Sequence, residues 1–180
     1  VISGSLDGKA MVWDLALQPL ATLDLMQQAA SLDRRVLSVC LSRDGTKALV
    51  GTAGAELWEL TAVQDPEAAA AAEAEEGGGG AEGDASAGAA GKSLHEGPVV
   101  AGHYGRAISG IVASSAAPEV VTVGSDGVVR VLSTETHKTA RLARVAPENV
   151  GIQAAAFSPD GSRLAVAAGP AIEILDPSAP

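Results

Sequence analysis

Apolar and polar positions alternate along this chain in short runs, separated by turns rich in Asp and Gly. Gly4-Ser5-Leu6-Asp7-Gly8 leads into Lys9-Ala10-Met11-Val12-Trp13-Asp14-Leu15. The same grammar returns as Gly124-Ser125-Asp126-Gly127 leading into Val128-Val129-Arg130-Val131-Leu132-Ser133. In both, Asp and Gly make a tight turn, and the residues that follow alternate as in a half-buried strand. Asp7 stands six residues before Trp13, and Asp126 six before Leu132. A second unit also recurs. Val36 to Arg43, then Asp44-Gly45, precedes strands at Ala48 to Thr52 and Ala55 to Leu60. Ala154 to Pro159, then Asp160-Gly161, precedes strands at Leu164 to Ala168 and Ala171 to Leu175. Between these copies, Ala107 to Ala113 and Glu119 to Val123 take the equivalent places, with Ala117-Pro118 as the turn.

Aligning the last strand of each unit on Trp13, Trp58, Leu132 and Leu175 gives intervals of 45, 74 and 43 residues. The long middle interval contains residues 62–93, with the runs Glu67-Ala68-Ala69-Ala70-Ala71-Ala72-Glu73 and Gly77-Gly78-Gly79-Gly80. Removing roughly 30 residues there restores a period of about 44, and four short strands in roughly 40 to 45 residues make one β-propeller blade. An Ala/Glu stretch propagates helix well, but this one has no large apolar stripe to dock, and the Gly run adds backbone freedom that packing does not recover. The expected organisation is therefore a partial blade and a following blade over 1–61, an acidic Ala/Gly-rich disordered insertion over 62–93, and further blades over 94–180. In all, the end of one blade, two full blades and most of another are expected. A propeller closes with roughly four to eight blades. The expected fold is all-β: about three to four four-stranded antiparallel blades of a larger ring that continues beyond the supplied chain.

Composition narrows the reading. Of 180 residues, 47% are apolar, but only two Trp, one Tyr and one Phe contribute rings, so the core must be mostly aliphatic. The formal charge is -10, which argues against a nucleic-acid surface, where a basic footprint is expected. Residues 62–93 carry seven acids and one Lys, or -6 of that total. Cys40 is the single cysteine, so no intrachain disulfide and no cysteine metal cluster can form. This fits a reducing, cytoplasmic setting. No apolar run approaches the roughly 18 residues that suggest a membrane span.

These repeats resemble the WD-repeat (WD40) β-propeller family. The residues that carry the resemblance are Gly102-His103 before a blade's first strand, Ser125-Asp126-Gly127, Trp13-Asp14 closing a unit, and Phe157-Ser158-Pro159-Asp160-Gly161. Such blades hold together through a hydrogen-bonded network of a His, a strand Ser or Thr, a turn Asp and a Trp. The resemblance places His103 and Asp126 in that network in one unit, and Asp7 and Trp13 in another. It gives Trp58 the Trp place in a third, where Gly54 stands in the region expected of the Asp. Leu132 replaces the Trp in the His103 unit, so no unit carries the full set.

A finer resemblance is to the echinoderm microtubule-associated protein-like group. It runs through Val36-Leu37-Ser38-Val39-Cys40-Leu41-Ser42, Leu49-Val50-Gly51-Thr52, Val100-Ala101-Gly102-His103 and Val121-Thr122-Val123-Gly124. That group implies tandem propellers and association with tubulin or microtubules or, in some members, with a ciliary assembly. Its setting would be the cytoskeleton, a cilium or a flagellar axoneme.

His103 beside Asp126 could suggest acid–base chemistry, but no Ser or Cys nucleophile accompanies them, and a buried imidazole joined to a turn carboxylate is a structural tie. His95 and His137 read as surface or loop residues. Ser86 to Ser93 has the Gly-Lys-Ser end of a phosphate loop, yet lacks its first Gly, its preceding strand and a persuasive following helix. Neither catalytic, cofactor-binding nor metal-binding residues are expected. Basic residues on blade edges and loops could meet an acidic protein surface; the candidates are Arg34, Arg35, Arg106, Arg130, Lys138, Arg141 and Arg144. The expected function is a non-enzymatic protein-interaction scaffold, microtubule- or cilium-associated. The alternative is a general WD-repeat adaptor in trafficking, signalling or ubiquitin-ligase assembly.

Overall fold

The computed structural model describes residues 1–27, 33–61, 93–94, 100–101, 103, 106–147 and 150–178. The expected insertion lies outside these residues, apart from Ser93. Among the described residues the chain is all-β, with one 3-10 turn at Leu25–Gln27 and four antiparallel sheets. Sheet I holds β1 (Ile2–Gly4), β2 (Lys9–Trp13) and β3 (Pro19–Asp24). Sheet II holds β4 (Val36–Leu41), β5 (Lys47–Thr52) and β6 (Glu56–Thr61), with β7 (Ser93–Leu94) and β8 (Val100–Ala101) both pairing with β6. Sheet III holds β9 (Ile108–Ala113), β10 (Glu119–Gly124), β11 (Val128–Ser133) and β12 (Thr139–Arg144). Sheet IV holds β13 (Ile152–Phe157), β14 (Leu164–Ala168) and β15 (Ala171–Leu175). Within each sheet, strand order follows the chain.

Tight turns set these hairpins. Gly8 and Gly127 take φ of 84° and 75° in two of the four Asp-Gly turns, a conformation in which a Cβ is costly. Ala55 holds the same turn position in sheet II at φ 68° without being glycine. Asp44 and Asp160 each accept hydrogen bonds from the Ser two residues earlier, at 2.6 Å, and from a backbone N–H two residues later, at 3.1 Å. Those bonds, the Ser hydroxyl first, hold both carboxyls down at about 2. Thr61 and Ser93 are register partners, so the chain leaves sheet II at residue 62 and returns directly opposite. Closing a longer loop costs little more than closing a short one, so the register of β6 survives the insertion.

Irregularities recur with the strands. The first strand of sheets II, III and IV bulges at one equivalent place: Leu37, Ser109 and Gln153 are the extra residues in their pairings with the second strand. A second bulge recurs where Trp13 pairs with Pro19 and Leu132 pairs with Thr139. Counting from these marks corrects the alignment of Trp58. Val50 pairs with Trp58 as Thr122 pairs with Arg130 and Ser3 with Met11, so Leu60, not Trp58, stands where Trp13 and Leu132 stand. The two-residue offset keeps the same sheet face, which is why alternation alone does not expose it.

Each sheet turns one face back toward its predecessor and the other forward. Ala10, Val12 and Leu23 of sheet I meet Ala48, Val50, Trp58 and Leu60 of sheet II. Leu49 and Leu57 meet Ile108, Ile111, Val120 and Leu132 of sheet III. Val121, Val123, Val129 and Val131 meet Ile152, Leu164, Val166 and Ala168 of sheet IV. Each fully buried aliphatic side chain contributes about 1.5–3 kcal/mol. Close approach has the same form at two steps. A Cβ on Gly4 would lie 2.5 Å from Val36 Cγ1, and one on Gly51 would lie 2.7 Å from Ile108 Cγ2. Hydroxyls add polar ties, with Ser38 Oγ donating to Ile108 O at 3.1 Å and Ser109 Oγ donating to Ile152 O.

Candidate functional site

The largest polar constellation in sheet III starts from its turn. Asp126 sits at the tip of the β10–β11 hairpin, where Val128 N–H donates to Oδ1 at 3.1 Å and fixes the carboxylate. His103, at 1% exposure, comes in ahead of β9 with a left-handed backbone (φ 60°). Its Nδ1 lies 2.9 Å from Asp126 Oδ1, and its Nε2 lies 3.0 Å from Thr122 Oγ1 on β10. Arg130 on β11 places Nη1 3.1 Å from Asp126 Oδ2 and 2.6 Å from His103 Nδ1. Nδ1 cannot at once donate a proton to Asp126 and accept one from Arg130. Charge decides the assignment: the Nδ1 proton goes to the anionic Oδ1, Arg130 donates to Oδ2, and Thr122 donates to Nε2.

Electrostatics follow from that arrangement. Burial pushes the His103 pKa below its ordinary 6.5, and Arg130 pushes the same way, against the pull of Asp126. Burial works to raise the Asp126 carboxyl, but the hydrogen bonds it accepts from His103, then from Arg130 and the Val128 N–H, outweigh it, and the pKa is lowered. A neutral imidazole between a carboxylate and a threonine locks the loop before β9 onto the β10–β11 hairpin. No Ser or Cys takes part in these bonds. A side chain on Gly124 would run into the His103 ring, so the glycine is what admits the histidine.

The structure therefore brings His103 and Asp126 together as the sequence suggests, and adds Thr122 and Arg130. In sheet I, Asp7 accepts from Lys9 N at 3.1 Å, while Trp13 Nε1 donates to Ser3 Oγ at 2.8 Å. Asp7 and Trp13 thus serve separate bonds.

Sheet II replaces the histidine network with another. Trp58, 1% exposed, donates from Nε1 to Glu56 Oε2 at 3.3 Å. Arg34 donates to the same oxygen at 3.1 Å and to Leu25 O at 3.0 Å, and its guanidinium lies 4.9 Å from the Trp58 ring centroid. Such a stacked cation adds about 0.5–2 kcal/mol.

Two of the basic positions expected at the surface are inside. Arg34 and Arg130 are each 6% exposed, held by Glu56 and Asp126, and cannot greet a partner from there. Glu56, 22 residues from Arg34, and Asp126, four residues from Arg130, are buried acids, so a cation was needed in the interior beside each. Arg35 is exposed but chelates Asp33 at 2.6 Å, and Arg141, about one third exposed, pairs with Glu119 at 2.5 Å. Arg106, Lys138 and Arg144 are exposed, and Arg144 also donates to Asp126 O at 3.0 Å.

His137 is not a plain loop residue. It is part-buried and reaches from the β11–β12 turn of sheet III back to Glu59 of sheet II, with Nε2 3.0 Å from Oε2. Glu59 is 3% exposed and also meets Lys47 Nζ at 3.1 Å, while Lys47 Nζ donates to Thr134 O at 2.5 Å. The signal was available in the sequence, because Glu56 and Glu59 fall on opposite faces of one central strand and each buried acid demands its own cation. His95 and Ser86 to Lys92 lie outside the described residues. Among the described residues no three His, Cys, Asp or Glu side chains gather to hold a metal ion, and no helix is long and apolar enough to cross a membrane. No family model matches the chain, and no curated protein sequence matches it either.

Proposed function

We propose that the four sheets are consecutive blades of a WD-type β-propeller and that the chain is a non-enzymatic platform for protein partners. One observation supports this most: the step from sheet to sheet repeats in detail. The same face meets the next sheet, the same bulges recur, and a His–Asp–Thr network ties a blade entry to a hairpin tip as the WD resemblance expects. Rigid strands of this kind hold turns at fixed positions, and binding work falls to turns and edges.

In its cytoskeletal form, the platform binds tubulin, microtubules or a ciliary assembly, through Arg35, Arg106, Lys138, Arg141 and Arg144. A second form, a general adaptor for trafficking, signalling or ubiquitin-ligase assembly, gains support from the pairing of the cations. Arg34 and Arg130 are interior, and Arg35 and Arg141 are matched by Asp33 and Glu119. Microtubule co-sedimentation with a salt titration, on the protein with and without residues 62–92, tests the choice. Saturable pelleting that weakens with salt and strengthens on removal of the acidic stretch supports the cytoskeletal form. A folded, monodisperse protein that stays in the supernatant at low salt refutes direct microtubule binding and leaves the adaptor form.

A further inference from the structure

We draw no further inference here: the strongest candidate, the cavity of about 300 Å³ between the β4–β5 turn of sheet II and the β9–β10 turn of sheet III, is lined by Arg43 beside Asp44 and Glu119, so charges of both signs face it and nothing in the structure shows what fills it.

Discussion

Asp126→Ala removes the acceptor on which three donors converge: His103 Nδ1 at 2.9 Å, Arg130 Nη1 at 3.1 Å and Val128 N at 3.1 Å. The guanidinium decides the size of the effect, because its side chain is only 8% exposed and breaking a buried ion pair from one side costs about 3–5 kcal/mol. The backbone bond adds roughly 1 kcal/mol, and some of the total returns as the arginine rearranges, so a net loss of about 3–5 kcal/mol is expected. Urea unfolding followed by tryptophan fluorescence measures it. With an m-value of about 2 kcal/mol/M, the midpoint should fall by roughly 2 M. Asp126→Asn keeps an acceptor oxygen but not the charge, and should fall in between. The decisive comparison is Asp126→Ala with Arg130→Met in the same chain. Removing the unbalanced cation should restore at least ~1 kcal/mol relative to Asp126→Ala alone. A midpoint shift below about 0.5 M, or a double variant that loses the sum of the two single changes, would refute the account of Asp126 as the counter-charge of a buried arginine.

Three further outcomes follow from the same geometry. The folded-state pKa of His103 is lowered, so the unfolded chain binds the extra proton first; stability is complete above about 6.5 and is lost as pH falls through that value, with Asp126 adding to the loss below about 3.8, and His103→Gln should flatten the upper part of a stability-versus-pH curve. Gly127→Ala, at φ 75° with a Cβ 2.5 Å from Ala146 O, should cost at least ~2 kcal/mol, whereas Ala55→Gly at the equivalent turn should stay within about 0.5 kcal/mol, since relief of a left-handed alanine offsets the lost methyl burial and added chain entropy; melting curves of the pair check the contrast. Burial pushes the Cys40 thiol up to about 12, so at pH 8 its alkylation should run about 1,000-fold slower than that of an ordinary cysteine and become normal in urea; fast labelling of the native chain would show that β4 opens readily.

The repeat was legible because turn chemistry and alternation are local. Asp7-Gly8, Asp44-Gly45, Asp126-Gly127 and Asp160-Gly161 each mark a hairpin, and the strands fall between them as the pattern predicts. The two bulges were not legible, because an extra residue in a strand leaves no mark on composition; the misplacement of Trp58 has another origin, since a two-residue offset keeps the same sheet face and alternation does not expose it. The charged interior was hidden for a different reason. A side chain such as Arg34 or Arg130 counts as surface in any reading that weighs residues singly; its place is fixed by an acid 22 residues away in one instance and four in the other. What settles such cases is the face each acid occupies. Glu56 looks back and Glu59 looks forward from one central strand, so each sheet junction had to recruit a cation from elsewhere in the chain: Arg34 for the first, Lys47 with His137 for the second. Among the described residues the junction between sheets III and IV has no such acid and is sealed by aliphatic side chains, Val121, Val123, Val129 and Val131 against Ile152, Leu164, Val166 and Ala168.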